Sequence, residues 1–334
     1  MAVQSPNLTD VAKVAGVSTA TASRVFNDDP RISDETKRKV YDAARAIGYA
    51  KPVRTEEPVI QTWGNIGLIV PEVISGYYAR LVHFAVDIFA QHFYSVSIRI
   101  TNYNNDTALK HANDLCASKI YGLLFIIDDS ECLSDEIFTV VAASEKPAFF
   151  ITGNYIPDND FDSLFIDDHR GIAMLFEHLV DKGYSSIGFI GERLTLERRT
   201  AYLASMELHN MAVVDAFIKT SLFRAEKGGY HAMREILNGK SHPDAIIMGY
   251  DQMAIGALKA IREAGLTVPG DIAIAAFDDI IESEYIENGI TTVQCPCEDI
   301  IAIAFRVLMN RIQDRYSAPQ QIALKPKLII RGTT

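Results

Sequence analysis

Residues 7–27 constrain the fold more than any other stretch, because they contain two helix signals only a few residues apart. In the first half, apolar residues recur at helical spacing, and Asn7 can cap a first turn with Asp10 three residues later. Gly16 can adopt the positive φ of a helix end, and Ser18 can cap a second helix. Because so short a link makes two helices cross steeply, the segment predicts a helix-turn-helix.

The second of these helices, predicted from Thr19 to about Phe26, carries a face of small and polar side chains. In a helix-turn-helix, the second helix enters the major groove of DNA and places its first residues against base edges. A forked guanidinium there suits guanine, and hydroxyl groups suit phosphate. Two ordinary helices of a larger domain are the alternative. The predicted DNA-binding residues are Ser18, Thr19, Ala20, Thr21, Ser23, Arg24 and Asn27.

The residues from Asp10 to Asn27 follow the pattern Asp-Val-Ala-x-x-Ala-Gly-Val-Ser-x-x-Thr-x-Ser-Arg-Val-x-Asn. This pattern resembles the N-terminal signature of the LacI/GalR family of bacterial transcription regulators. The resemblance implies a homodimer whose DNA-binding headpiece is tied by a hinge to a two-lobed sugar-binding core of the periplasmic-binding-protein type. It extends to the segments Ile290–Gln294 and Leu328–Gly332, and it is weakest in the hinge.

Charge is distributed unevenly along the 334 residues, whose formal net charge is −11. Residues 1–54 carry nine Lys and Arg against six Asp and Glu, so this part has a net charge of +3 and the remainder −14. A basic head in front of an acidic body directs phosphate to the head, and its binding to DNA should weaken with salt. The absence of a secretory signal and of any apolar run near the roughly 20 residues that span a membrane predicts a cytoplasmic protein with no membrane partner.

The sequence contains no pattern typical of catalysis or cofactor binding. Four cysteines (Cys116, Cys132, Cys295 and Cys297) are too few for a disulfide framework in a chain of this size and are expected to be thiols. Phosphate-binding glycine loops, nucleophile elbows and metal-ligand clusters are missing. We therefore predict no catalytic residue, no metal, no cofactor and no enzymatic activity. A periplasmic sugar-binding protein, which shares the two lobes, would lack the headpiece.

A third predicted helix completes a three-helix headpiece over residues 1–50. Residues 51–65 contain two prolines and no helical periodicity, which predicts a hinge or linker. In the family, this hinge usually carries a leucine that wedges into the minor groove, whereas Pro58 stands here after Glu56 and Glu57. Because carboxylates are adverse at a minor groove and proline interrupts a helix, the sequence predicts no leucine wedge.

From residue 66 onward, short apolar strands alternate with helices, a pattern typical of parallel sheets. The predicted fold is α/β, with two Rossmann-like lobes behind the headpiece. The N-lobe is expected over about 66–161 and 294–322, and the C-lobe over about 162–293 and 323–334. Predicted strands are 66–70, 96–100, 122–127, 148–152, 186–190, 245–248 and 272–277. Predicted helices are near 78–93, 106–119, 133–144, 169–182, 198–210, 226–238, 253–264 and 298–313.

Ligands of such folds bind beyond the carboxyl ends of the strands. Tyr77 and Tyr78 follow the first predicted strand, and Thr152 ends the fourth. Aromatic faces of this kind can cover the apolar side of a sugar. The resemblance implies that Arg198, four residues before an aromatic, holds effector hydroxyl groups. A surface salt bridge with Glu197 or Glu192 is the alternative for this arginine.

Two further segments complete the predicted effector site. Tyr250 replaces the small polar residue that usually touches sugar in the family, so stacking is expected instead. The next residue, Asp251, is either a helix cap or a ligand. Phe277-Asp278-Asp279 matches the family's aromatic-Asp-Asp after a strand, and this match makes Asp278 the expected acceptor opposite Arg198.

Few cations lie at these strand ends, which favours a neutral mono- or oligosaccharide over a phosphorylated sugar. The predicted protein is a repressor whose affinity for a roughly palindromic operator changes when the ligand closes the lobes. The sequence leaves open whether the ligand is an inducer or a corepressor. A regulator that responds to a non-sugar effector or to a corepressor protein is the alternative.

Overall fold

The computed structural model describes residues 6–26, 29, 31–47, 49, 64–127, 134–153, 155, 160–313 and 318–334. The chain divides into two compact units, Met1–Ile60 and Gln61–Thr334. Within the described residues, no helix combines the length and the apolar character needed to cross a membrane. The predicted hinge, including Glu56, Glu57 and Pro58, lies almost entirely outside the described residues.

The first unit contains three helices, α1 (Leu8–Ala15), α2 (Thr19–Phe26) and α3 (Asp34–Ala46). The side chain of Asn7 accepts from two main-chain N–H groups of the first turn, and Asp10 accepts from the N–H of Asn7, which confirms the predicted capping box. Gly16 ends α1 with φ 67°, the left-handed conformation that glycine adopts without a Cβ penalty. The fully buried side chains between the helices are those of Val11, Ala22, Val25 and Val40.

The second unit contains two six-stranded sheets. The strands are β1 (Gly64–Val70), β2 (Tyr94–Ile100), β3 (Gly122–Ile127), β4 (Ala148–Thr152), β5 (Asp162–Ile166), β6 (Ile187–Glu192), β7 (Ile218–Ser221), β8 (Ala245–Met248), β9 (Ala273–Asp278), β10 (Thr291–Gln294), β11 (Gln321–Leu324) and β12 (Lys327–Ile329). The helices are α4 (Gly76–Gln91), α5 (Asn105–Ala117), α6 (Asp135–Ala143), α7 (Asp168–Asp181), α8 (Leu196–Leu208), α9 (Ala225–Leu237), α10 (Asp251–Glu263), α11 (Glu282–Tyr285) and α12 (Cys297–Ile312). Every strand and helix predicted from the sequence is present, with ends within two residues of the prediction.

The strand order is β11-β5-β4-β3-β1-β2 in the N-lobe and β12-β10-β9-β8-β6-β7 in the C-lobe. Strand pairs are parallel, except that β12 runs antiparallel to β10. Apolar residues cover both faces of the central strands, as parallel sheets require, so β3 and β9 are buried along their whole length. The carboxyl ends of the parallel strands in each lobe share one edge. The connections at these edges carry the polar residues of the cleft.

The sheet order corrects two predicted lobe boundaries. The C-lobe was expected to begin at residue 162, but β5 pairs with β4 and belongs to the N-lobe sheet. The boundary expected at 322/323 falls inside β11, which pairs with β5. Both strands are short and carry polar residues, so neither produces the apolar run that marks the central strands. The first strand also begins at Gly64, inside the predicted linker.

Candidate functional sites

The second helix of the headpiece places the predicted DNA-binding residues in two environments. Thr19, Ala20 and Arg24 are exposed, whereas Ala22 and Val25 face the core. Among the described residues, no carboxylate forms an ion pair with the exposed Arg24. By contrast, other headpiece cations are engaged in the ion pairs Arg31–Asp29 and Lys39–Glu35.

The hydroxyl groups of the same helix are partly engaged in its own cap. The Oγ atom of Ser18 accepts from the N–H of Thr21 at 3.1 Å and lies 2.8 Å from the Oγ1 atom of Thr21. Ser23 is half-buried. The last predicted DNA-binding residue, Asn27, lies outside the described residues.

A cavity of about 60 Å³ lies at the strand ends, between the two lobes. Five of the six predicted effector residues line it: Tyr77, Tyr78, Arg198, Tyr250 and Asp278. The sixth, Thr152, lines a smaller void of about 10 Å³, which Tyr77 and Arg198 also border. The two tyrosines belong to the first turn of α4, where Ser75 caps the helix by accepting from the N–H of Tyr78.

Arg198 is held from three sides. Its Nε donates to Asp168 at 3.0 Å, and its Nη1 donates to Asp278 at 3.3 Å and to the carbonyl oxygen of Gly249 at 2.8 Å. The ring of Phe277 lies 3.9 Å from the guanidinium carbon. The expected alternative partners of Arg198 are occupied elsewhere, because Glu197 faces His169 and Glu192 pairs with another arginine. Arg198 therefore forms a cleft cluster and not a surface salt bridge.

Burial and charge act in opposite directions in this cluster. Burial raises the pKa of Asp168, although the guanidinium beside it acts to lower that pKa. Burial also disfavours the charged form of Arg198, but Asp168 and Asp278 raise its pKa well above the usual value. The cluster thus presents one permanent cation between two acceptor groups, a geometry suited to ligand hydroxyl groups that both donate and accept.

The backbone at Asp278 takes an unusual conformation. Its φ is 106° and that of Asp279 is 53°, both in a region that residues with a Cβ atom rarely adopt. Asp279 is held there by Arg331 at 2.7 Å and by Gln294 at 2.9 Å. Strained backbone of this kind persists where surrounding contacts enforce it, and here it directs the carboxylate of Asp278 toward Arg198.

Asp251 has neither of the two roles that the sequence left open. It is completely buried, and it accepts from the N–H of Ile280 at 2.9 Å and from the hydroxyl groups of Ser283 and Thr292 at 2.7 and 2.6 Å. It is therefore neither a helix cap nor a cleft residue, and it anchors the loop that follows Asp278 at the end of β9. Burial raises the pKa of Asp251 to about 7, against the opposing effect of these hydrogen bonds.

Sequence reasoning missed four cleft residues: Tyr103, Asp168, Glu192 and Arg224. The Oε1 atom of Glu192 accepts from the Nε of Arg224 at 3.0 Å and from the hydroxyl of Tyr250 at 3.1 Å. Burial raises the pKa of Tyr250, and neighbouring Glu192 raises it further, so the hydroxyl remains a donor. Asp168 and Arg224 follow β5 and β7, two strands that the apolar pattern did not reveal.

Within the described residues, no group of His, Cys, Asp and Glu side chains is arranged to hold a metal ion. Cys116, Cys295 and Cys297 are free thiols, and Cys132 lies outside the described part. Burial raises the pKa of Cys295, whose Sγ lies 3.8 Å from Asp278. The cleft therefore offers hydrogen-bonding groups and aromatic rings.

Comparison with known proteins gives a match to each unit. Residues 7–51 match the family described as bacterial regulatory proteins, lacI family, and residues 176–334 match the periplasmic binding protein-like domain. The chain is 29% identical over 328 residues to the HTH-type transcriptional repressor PurR of Mannheimia succiniciproducens, with 96% of each chain covered.

Solved structures share the fold at lower identity. A complex of the transcriptional regulator CelR with cellobiose superposes with a TM-score of 0.72 at 22% identity, covering 98% of this chain and 100% of that one. The lac repressor dimer bound to operator and the anti-inducer ONPF superposes with a TM-score of 0.71 at 22% identity, covering 99% of each chain. This chain and the two solved proteins thus share the arrangement of a helix-turn-helix headpiece followed by a two-lobed core over nearly their whole length.

Proposed function

The chain belongs to the LacI family of bacterial regulatory proteins, and we propose that it is a transcriptional repressor controlled by a small ligand bound between its lobes. The observation that carries this proposal is the cluster of Arg198, Asp168 and Asp278 at the strand ends of the second unit, in a chain whose first unit contains a helix-turn-helix. The proposed effector is a neutral sugar or glycoside.

Operator recognition is proposed for the exposed face of α2. Arg24 would read a base edge and Thr19 and Ala20 would approach the groove, while Ser18, Thr21 and Ser23 would lie near phosphate. Asn27 is retained as a proposed contact from the sequence pattern alone. The relatives named PurR are transcriptional repressors by name, and the lac repressor structure is a dimer on its operator, which supports a homodimer on a roughly palindromic site.

An effector without negative charge is supported by how the cleft charges are paired. Both arginines that line the cavity, Arg198 and Arg224, already contact carboxylates, so an anionic ligand would meet acceptor groups in place of a free cation. The CelR structure contains cellobiose in the same fold. With a cavity of about 60 Å³, against roughly 300 Å³ or more for typical ligand pockets, the lobes must open or side chains must move before a sugar can enter.

The predicted division into a headpiece (1–50), a hinge (51–65) and an effector-binding and dimerisation core remains part of this proposal. Control by a non-sugar effector or a corepressor protein is the second candidate. The candidates differ in what the isolated protein binds. It binds a sugar under the first candidate; under the second it binds either a small ligand that is not a sugar or, where the partner is a corepressor protein, no small ligand in the cleft.

A thermal-shift panel of sugars tests the effector proposal, since a ligand that binds only the folded protein raises its melting temperature. We expect at least one neutral sugar, with cellobiose and its component glucose as starting probes, to give a saturable rise. The variant Arg198→Ala should abolish this rise and still bind DNA through its headpiece. If the panel gives no shift with the wild-type protein, the sugar-effector proposal is wrong and the second candidate is favoured.

A further inference from the structure

The two arginines of the cleft are held in different ways. Arg198 is 16% exposed and has two carboxylate partners and a carbonyl partner, all in the C-lobe. Arg224 is 39% exposed and pairs with a single carboxylate, that of Glu192. Its guanidinium carbon also lies 4.3 Å from the ring centroid of Tyr103, which belongs to the N-lobe. Arg198 is therefore fixed within one lobe, whereas Arg224 contacts residues of both lobes and is partly exposed.

The carboxylate of Glu192 is built to hold a cation. Its side chain is 5% exposed and stands at the end of β6, where Thr195 in the following turn fixes it. One oxygen receives both the Nε of Arg224 and the hydroxyl of Tyr250. Burying a carboxylate costs little free energy only while a cation or several hydrogen-bond donors remain in contact with it.

The aromatic side of the same space is held by strained backbone. Asn102 and Tyr103, which follow β2, have φ values of 52° and 57°, and a bulky side chain rarely adopts this region. The conformation places the Tyr103 ring at the cleft, within 6.3 Å of the Tyr78 ring. On the opposite side, Ala225 has φ 52°, and its N–H donates to Tyr250. These two strained turns thus place the Tyr103 ring of one lobe against the Arg224 guanidinium of the other.

The guanidinium of Arg224 lies over the ring of Tyr103 and donates to the carboxylate of Glu192. An aromatic face on one side and a hydrogen-bonding carboxylate on the other are the elements that hold a ring with polar substituents. With Arg224 in place, the remaining cavity of about 60 Å³ is much smaller than the roughly 300 Å³ or more of typical ligand pockets. The side chain of Arg224 lines this cavity and limits the space at the strand ends.

The charges of the buried groups indicate which kind of group could replace the guanidinium of Arg224. Among the described residues, Glu192 has no other cationic partner once the guanidinium of Arg224 has left, because Arg198 contacts Asp168 and Asp278. We infer that the side chain of Arg224 occupies an effector subsite when no effector is bound. We also infer that the effector displaces this side chain with a positively charged nitrogen on a ring that stacks on Tyr103, as in an amino sugar. This inference rests on the proposed effector cleft and changes one property of the proposed ligand, its charge.

Methylguanidinium, the free form of the displaced group, tests the subsite without knowledge of the effector. In Arg224→Ala, the vacated space should bind methylguanidinium, and the melting temperature should rise saturably, by about 3 °C at ten times the dissociation constant. Wild type, in which the subsite is filled, and the double variant Arg224→Ala/Glu192→Gln, which lacks the carboxylate, should show no saturable rise.

Arg234 supplies a matched control, because it also pairs with a glutamate, Glu263 at 3.6 Å, and lies 5.9 Å from a tyrosine ring, that of Tyr230. This group lies on the surface, with Arg234 46% exposed, so Arg234→Ala should not gain methylguanidinium binding. An equal response of Arg224→Ala and Arg234→Ala, including no response of either, would overturn the subsite.

The ligand class is tested by titrating Arg224→Ala with glucosamine and with glucose, which differ at one substituent. Tighter binding of glucosamine that is lost in the Glu192→Gln background supports a cationic effector. Equal responses to the two sugars, including none, contradict it. Binding of glucose alone would leave the proposed neutral sugar standing and overturn only this inference, so the two failures are distinguishable.

Discussion

Arg198 and Asp168 are joined by a hydrogen bond of 3.0 Å between Nε and Oδ2, which ties the first turn of α8 to the first residue of α7. The same guanidinium contacts Asp278 at the end of β9. Three chain segments that are distant in sequence therefore meet at one cation. The proposed sensor and the stability of the C-lobe depend on the same contacts.

We expect Arg198→Ala to destabilise the second unit strongly. The substitution leaves Asp168 and Asp278 buried without their cation, and breaking a buried pair in this way costs about 3–5 kcal/mol. Urea unfolding measures the loss. The control Arg170→Ala removes a surface pair with Glu177, which is 3.7 Å long, and should cost at most about 1 kcal/mol. A similar small loss for both variants would show that the cleft cluster contributes little to folding.

Close packing of α9 on α10 gives a second prediction. A Cβ atom on Gly256 would overlap the carbonyl oxygen of Glu226, and one on Gly229 would overlap that of Met253. Because the obstacles are main-chain atoms, Gly256→Ala must separate the helices and should cost about 2 kcal/mol or more. Glu235→Ala, on the exposed face of α9, should change the free energy of unfolding by less than about 0.5 kcal/mol. A neutral Gly256→Ala would contradict this packing.

The buried Asp251 predicts a pH dependence of stability. Its pKa is about 7 in the folded chain and near the ordinary value of 3.8 in the unfolded chain, so the folded state retains the proton to higher pH. The contribution of this group is therefore complete below about pH 4 and is lost as the pH rises toward 7, with a slope of up to about 1.4 kcal/mol per pH unit.

Urea unfolding between pH 5 and 8 measures this effect as the difference between wild type and Asp251→Asn. The stability advantage of wild type should shrink as the pH rises. Asp271→Asn is the control, because hydrogen bonds from Thr267 lower the pKa of that exposed carboxyl. Asp271→Asn should change the free energy of unfolding only in more acidic solution. There the stability advantage of wild type over this variant should grow as the pH rises. A difference for Asp251→Asn that does not vary with pH would contradict a shifted carboxyl at this position.

The headpiece and the central strands were predictable because their signals are local. Asn7, Asp10 and Gly16 each satisfy or end a helix within one turn of their own position, and the structure confirms all three. Buried strands such as β3 and β8 contain continuous apolar runs. In both cases the type and spacing of nearby residues are enough to predict where a helix ends or which strand is buried.

The missed cleft residues depend on contacts that no local pattern records. Strand β7, Ile-Lys-Thr-Ser, is only partly buried, so nothing marked Arg224 as a residue beyond a strand end. Asp251 bonds to residues 29 to 41 positions away, and its role depends on how the loop after β9 folds back. The partner Asp168 of Arg198 was likewise missed, because it follows a strand that the sequence did not reveal, whereas Asp278 was expected opposite Arg198.

The most direct test of the proposed operator recognition is selection of binding sites from a pool of random DNA duplexes by the full chain, with Arg24→Ala selected in parallel. We predict that the wild-type protein enriches a roughly palindromic motif. Loss of Arg24 should remove about 1–3 kcal/mol of discrimination at one position in each half-site. No enrichment by the wild-type protein, or the same motif with undiminished preference in the variant, would contradict the proposed role of α2.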